Sequence, residues 1–303
     1  MSRIFHVSVL FIINLLILGS AQAGVKLLAS IKPLQLIAAA VQDGISTPQV
    51  LLPPGASPHN YSFRPSDVRR VQSADLFYWI GPDMESFLPS LLKGRRSPTV
   101  AVQDLEGMKL RRFEEDSHSH TDEHNHDHRP GTLDAHLWLS IVNARVIAAR
   151  MAFDLSVADP SNAARYQSNV KAFDKRLDSL DARLKSRMAS VSGKPYFVFH
   201  EAFDYFENDY GLRHTGVFSV ASEVQPGARH VAVIRTRLDE VGKACVFTEP
   251  PLRSRLAETL VAGLPVKLAE LDALGGYTPV TAQGYEQLLD RLGSDLAGCL
   301  KSF

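Results

Sequence analysis

Apolar positions fall along this chain in short runs separated by longer mixed stretches. The first run, Val7 to Leu18 (VSVLFIINLLIL), is nearly free of polar residues, but it is shorter than the roughly 20 apolar residues that a membrane span needs. Arg3 precedes it and Ala21-Gln22-Ala23 follows. That order of basic start, apolar core and small-residue cleavage site reads as a secretory signal peptide, residues 1–23. No cysteine follows Ala23, which argues against a lipid anchor. No later run is long enough to span a bilayer, so a soluble, exported mature chain is expected.

Beyond the leader, strand-like runs alternate with helical periodicity. Val25–Ala29, Gln49–Leu52, Leu76–Ile80 and Thr99–Val102 read as strands, with a helix over Pro33–Val41. Ser66 is the expected N-cap of a helix ending at Ser73, with Pro65 stopping any earlier continuation. Asp159-Pro160 then opens a different texture. Asp159 is placed to cap a helix whose first residue is Pro160, and apolar residues recur in steps of three and four from Ala163 to Leu184. A helix of about 30 residues would be roughly 45 Å long, a length suited to a connector lying along two domains. Alternation resumes with strands at Tyr196–Phe199, Val217–Val220, Cys245–Thr248 and Val266–Ala269. Helices are expected at Glu201–Asp209, Val231–Val241, Leu252–Val261 and Tyr285–Leu300. The pattern predicts an α/β protein of two (β/α) lobes, 24–158 and 193–303, with mostly parallel sheets joined by one long rigid helix, 159–192.

Composition narrows the function. The 303 residues carry 33 basic and 33 acidic side chains, without the basic stripe of a nucleic-acid binder. The two cysteines, Cys245 and Cys299, both lie in the last fifth of the sequence. In an oxidising compartment they read as a disulfide rather than as metal ligands, and would contribute roughly 4 kcal/mol on the chain-entropy model.

Three histidines stand where an α/β protein places its ligands. His200 directly follows the YFVF strand, His59 lies in the polar loop PGASPHNYSFRPSD, and His136 precedes an apolar helix start in DAHLWLS. Asp272, in ELDALGGY, follows the strand Val266–Ala269. Three imidazoles with a carboxylate or water would complete a tetrahedral Zn²⁺ set, whereas Mn²⁺ prefers more oxygen. Taken singly, each histidine reads first as a structural or surface residue, because spacing this wide is not a local motif. His214 and His230 read as structural or surface residues.

PHNYSFRPSDVRRVQSADLFYWIGPDMESFL, HLWLS, FHEAFDYFE and LDALGG resemble ZnuA-type periplasmic zinc-binding proteins, the solute receptors of zinc ABC transporters. The resemblance covers nearly the whole mature chain. It implies a receptor, not an enzyme: a monomer that buries zinc between two lobes and delivers it to a membrane permease. It also implies that His59, His136 and His200 are ligands, with Asp272 or water as the fourth. Some relatives have a glutamate just before the first histidine. Pro58 stands there in this chain, so that candidate ligand is missing.

The segment 114–129 (EEDSHSHTDEHNHDHR) holds five histidines and six acidic residues in 16 positions. It has no apolar residue with which to build a core. His118, His120, His124, His126 and His128 are therefore expected to form a weaker, secondary zinc-binding loop. The rival readings are a receptor for Mn²⁺ or another divalent metal, a zinc-dependent hydrolase, a surface adhesin and a metal buffer without a transporter. Neither HExxH nor a local Ser-His-Asp signature supports the hydrolase.

Overall fold

The computed structural model describes residues 24–113, 131–219, 227–250 and 255–303. The expected signal peptide and the His-rich segment, with all five of its histidines, lie outside the described residues.

Two four-stranded, all-parallel sheets form the frame. The first contains β1 (Leu27–Ala29), β2 (Gln49–Val50), β3 (Leu76–Trp79) and β4 (Thr99–Ala101), in the order β2-β1-β3-β4. The second contains β7 (Tyr196–His200), β8 (Gly216–Ser219), β9 (Cys245–Thr248) and β10 (Lys267–Glu270), in the order β10-β9-β7-β8. Every residue of β1, β3 and β9 is buried, which explains why these strands are continuous apolar runs rather than alternating ones. Helices supply the crossovers: α1 (Lys32–Val41), α2 (Pro65–Ser73) and α3 (Leu88–Leu92) in the first half. A two-stranded antiparallel ribbon, β5 (Arg111–Arg112) with β6 (Leu133–Asp134), brackets the His-rich segment.

Two long helices follow, α4 (Ile141–Ala158) and α5 (Ala163–Ala189). The 27 residues of α5 span roughly 40 Å at 1.5 Å per residue. Its buried stripe, Tyr166, Phe173, Leu177, Leu180, Leu184 and Met188, has the three-to-four spacing read from the sequence. The second sheet is completed by α6 (Asp204–Tyr210), α7 (Ala228–Val241), α8 (Arg255–Val261) and the closing helix α9 (Gly284–Leu300). The long helix packs on α4, α1 and α9. Asn169 donates to the Val41 carbonyl at 2.9 Å, and Arg176 pairs with Glu286 and donates to the Ala282 carbonyl at 2.7 Å. One continuous apolar cluster accordingly contains residues of both sheets, from Leu27 and Phe77 to Val198 and Phe247. A smaller cluster, with Phe218, Ile234 and Leu238, fills the space near β8 and α7.

Three local details differ from the sequence expectation. Pro65 is the first residue of α2 and does not stop it, because a proline at that position has no amide hydrogen to lose. The cap is supplied by Asp67 and not by Ser66: its Oδ2 accepts the Arg64 amide at 3.0 Å and the Tyr61 hydroxyl at 3.0 Å. Pro160–Asn162 is a separate 3₁₀ turn ahead of α5, gathered by Asp159, which accepts from Ser161, Asn162 and Tyr166. The expected disulfide is present. It joins β9 to α9 through Cys245 and Cys299, 54 positions apart with Cα atoms 6.2 Å from each other. Among the described residues no helix is long and apolar enough to cross a membrane.

Candidate metal centre

Three segments far apart in sequence bring His59, His136 and His200 together. Ring centroids are 5.4 Å apart for His59 and His136, 5.3 Å for His59 and His200, and 4.8 Å for His136 and His200. One nitrogen from each ring lies within 4.8 Å of the other two. Tetrahedral zinc at Zn–N lengths of about 2.0–2.1 Å requires donor nitrogens roughly 3.3 Å apart, so small ring rotations suffice.

Each histidine is held differently. His200 is the last residue of β7, at the carboxyl edge of the second sheet, and its Nδ1 meets Glu249 Oε1 at 3.1 Å. His136 precedes a 3₁₀ turn, Leu137–Leu139. Both its backbone amide (3.0 Å) and its Nδ1 (2.8 Å) meet Asp134 Oδ1. A carboxylate on Nδ1 fixes the ring orientation and leaves Nε2 for a metal. Trp138 anchors that turn across the molecule, donating Nε1–H to the Ala273 carbonyl at 2.8 Å, while Tyr285 donates to the Trp138 carbonyl at 2.7 Å. His59 sits in the loop before α2, where its amide donates to Ser57 Oγ at 3.1 Å. Burial, with a lesser contribution from the neighbouring His200, pushes the His59 imidazole down to about 3. It is neutral near pH 7, so a metal need not displace a proton from it.

Asp272 is not part of this cluster. Its Oδ1 accepts the amides of Leu274 (3.1 Å) and Gly275 (2.7 Å), and its Oδ2 accepts that of Gly276 (2.9 Å). Gly275 has φ +63°, and a side chain there would strike Leu288, so the loop around Asp272 needs glycine. Sequence reasoning missed Glu249 and the pairing role of Asp134. Asp134 stands two residues before a candidate ligand, a usable signal. Glu249 is 49 residues from its partner and only the fold brings them together.

The model of the family described as zinc-uptake complex component A, periplasmic, matches residues 27–299. The chain belongs to this ZnuA family. Among its relatives, the high-affinity zinc uptake system protein ZnuA of Yersinia pestis is 36% identical over 293 residues, covering 92% of each chain. The protein of the same description from Brucella abortus is 34% identical over 314 residues, covering 93% of this chain and 94% of its own. A Zn(II)-bound mutant of the AdcAII protein of Streptococcus pneumoniae is similar in structure, with a TM-score of 0.74 and 26% identity. That likeness covers 91% of this chain and 98% of the other. This member of the ZnuA family thus combines two parallel sheets with a cluster of three histidines.

Proposed function

We propose that this chain captures Zn²⁺ in the periplasm and delivers it to the membrane permease of a zinc ABC importer. The observation that carries the reading is the convergence of His59, His136 and His200, with carboxylates behind two of them. Three imidazole nitrogen donors suit zinc better than harder cations. Asp134 and Glu249 orient the rings, and Trp138 and Tyr285 brace the turn that carries His136. The relatives named for zinc uptake, and the zinc-bound structural neighbour, support the same cargo.

In this reading residues 1–23 direct export and are removed, and the mature chain works as a monomeric receptor, not an enzyme. Two lobes, 24–158 and 193–303, flank the connector 159–192. The fourth ligand is water or Asp272. For Asp272 to serve, its carboxylate would have to leave the amides of residues 274–276. The segment 114–129 acts as a separate, weaker zinc store. Calorimetric titration of the mature chain with Zn²⁺ tests the division: deleting 117–128 should lower stoichiometry and keep one tight site. Loss of the tight site on that deletion would refute it, as would tight binding that survives alanine at all three histidines. Zinc-limited growth of a strain lacking the chain tests delivery, since a mere metal buffer would not be needed for uptake.

A further inference from the structure

We propose that Glu201, Asp204 and His214 form a second site for a divalent transition-metal cation, separate from the three-histidine cluster. One ligand atom from each of these side chains lies within 4.8 Å of the other two. Glu201 follows His200 directly and Asp204 opens α6. His214 is returned towards them by the turn at Gly211, whose φ of +66° suits glycine.

The histidine is already mounted as a ligand would be. Its Nδ1 meets Glu207 Oε2 at 2.9 Å and Oε1 at 3.1 Å, and its amide donates to Oε2 at 3.3 Å. Glu207 is itself buried and takes the Tyr196 hydroxyl at 2.8 Å. Glu207 thereby fixes the ring beside Glu201 and Asp204. Asp204 Oδ1 is 3.9 Å from His214 Nδ1, and both side chains keep 16% of their surface exposed, so solvent ions reach the group.

Charge favours a cation here. Even with a protonated imidazole, Glu201, Asp204, Glu207 and His214 sum to a net negative charge. Two carboxylates and one imidazole make a harder donor set than three imidazoles. Binding weaker and less selective for zinc than in the histidine cluster follows. The inference goes beyond the receptor reading and does not depend on it.

The test uses the mature chain carrying His59→Ala, His136→Ala and His200→Ala with residues 114–129 deleted. Zn²⁺ titration by calorimetry, with metal analysis after dialysis, should find one ion per chain. Adding Glu201→Gln and Asp204→Asn should abolish it, and His214→Gln alone should weaken it at least tenfold. No bound ion in the first variant, or an ion that survives Glu201→Gln with Asp204→Asn, overturns the proposal. Because heavily substituted chains risk misfolding, the unaltered mature chain provides a second readout. Zn²⁺ beyond the first equivalent should shift the ¹⁵N resonances of the His214 ring, and a His214 ring unmoved through saturation overturns it equally.

Discussion

His136 and His214 are both held at Nδ1 by a buried carboxylate, yet what else surrounds the rings differs. His136 faces two more imidazoles, whereas His214 faces Asp204 and Glu201. The first environment is desolvated, and burial, with a lesser contribution from His200, pushes His59 down to about 3. The second is anionic. Burial alone would lower the His214 imidazole, but the bond to Glu207 and the charges of Glu207, Asp204 and Glu201 outweigh it and hold the ring at about 9. The same mounting thus yields a three-imidazole, soft-donor pocket in one place and a cation-seeking patch in the other. What surrounds a histidine decides its chemistry more than how the ring is anchored.

The comparison breaks most severely at a ligand. His136→Ala should weaken Zn²⁺ binding by more than the roughly 100-fold that lost outer partners reach, read by competition titration with a chelator. Next come the partners themselves. Asp134→Asn and Glu249→Gln should each cost about 10- to 100-fold in affinity with stoichiometry unchanged. Asp134 should give the larger loss, because it holds both the ring and the backbone of His136. An effect under twofold for both would mean that the carboxylates do not orient the rings.

Glu85 sharpens the contrast as a buried carboxylate with no imidazole opposite. It is fully buried and accepts the Ile80 amide at 2.7 Å, and burial raises its carboxyl from 4.5 to about 7 despite the backbone hydrogen bonds. A raised acid is protonated in the folded chain before it is in the unfolded one, so its contribution is most favourable below pH 4.5. That contribution falls as pH rises and is lost once pH passes 7. Glu85→Gln should therefore stabilise the metal-free protein by about 3 kcal/mol at pH 8 and leave it nearly unchanged at pH 4.5 and below. Denaturant melts at the two pH values check this, and an equal effect at both would contradict it. The smallest change is expected at Asp272. With its carboxylate turned to the amides of 274–276, Asp272→Asn should alter Zn²⁺ affinity less than about tenfold, the step that 1.4 kcal/mol makes.

Much of the frame is legible from the chain itself. Buried parallel strands such as Leu76–Trp79 announce themselves as unbroken apolar runs, and the stripe on α5 keeps its period over 27 residues. The two-residue strands β5 and β6 carry no period at all, and of α4 the pattern marks only the start. His59, His136 and His200 stand out by their place at strand ends and in loops, together with the family resemblance. The carboxylates behind them do not, since Glu249 closes a different strand from His200. His214 reads as an isolated histidine for a related reason. Its partners Asp204 and Glu207 look like ordinary polar positions of a short helix, and only the turn at Gly211 folds the ring back onto them.

The apolar cluster that contains residues of both sheets has a thermal corollary. Leu34, Phe173, Leu177 and Tyr285 belong to the same packed body as β1 and β9, so neither half can melt and leave the other a complete core. Heating should give one endotherm whose calorimetric and van't Hoff enthalpies agree. Release of a bound ion by unravelling one half is correspondingly closed off. The cargo has to leave through motion of the loops that carry the histidines, with the packed body intact.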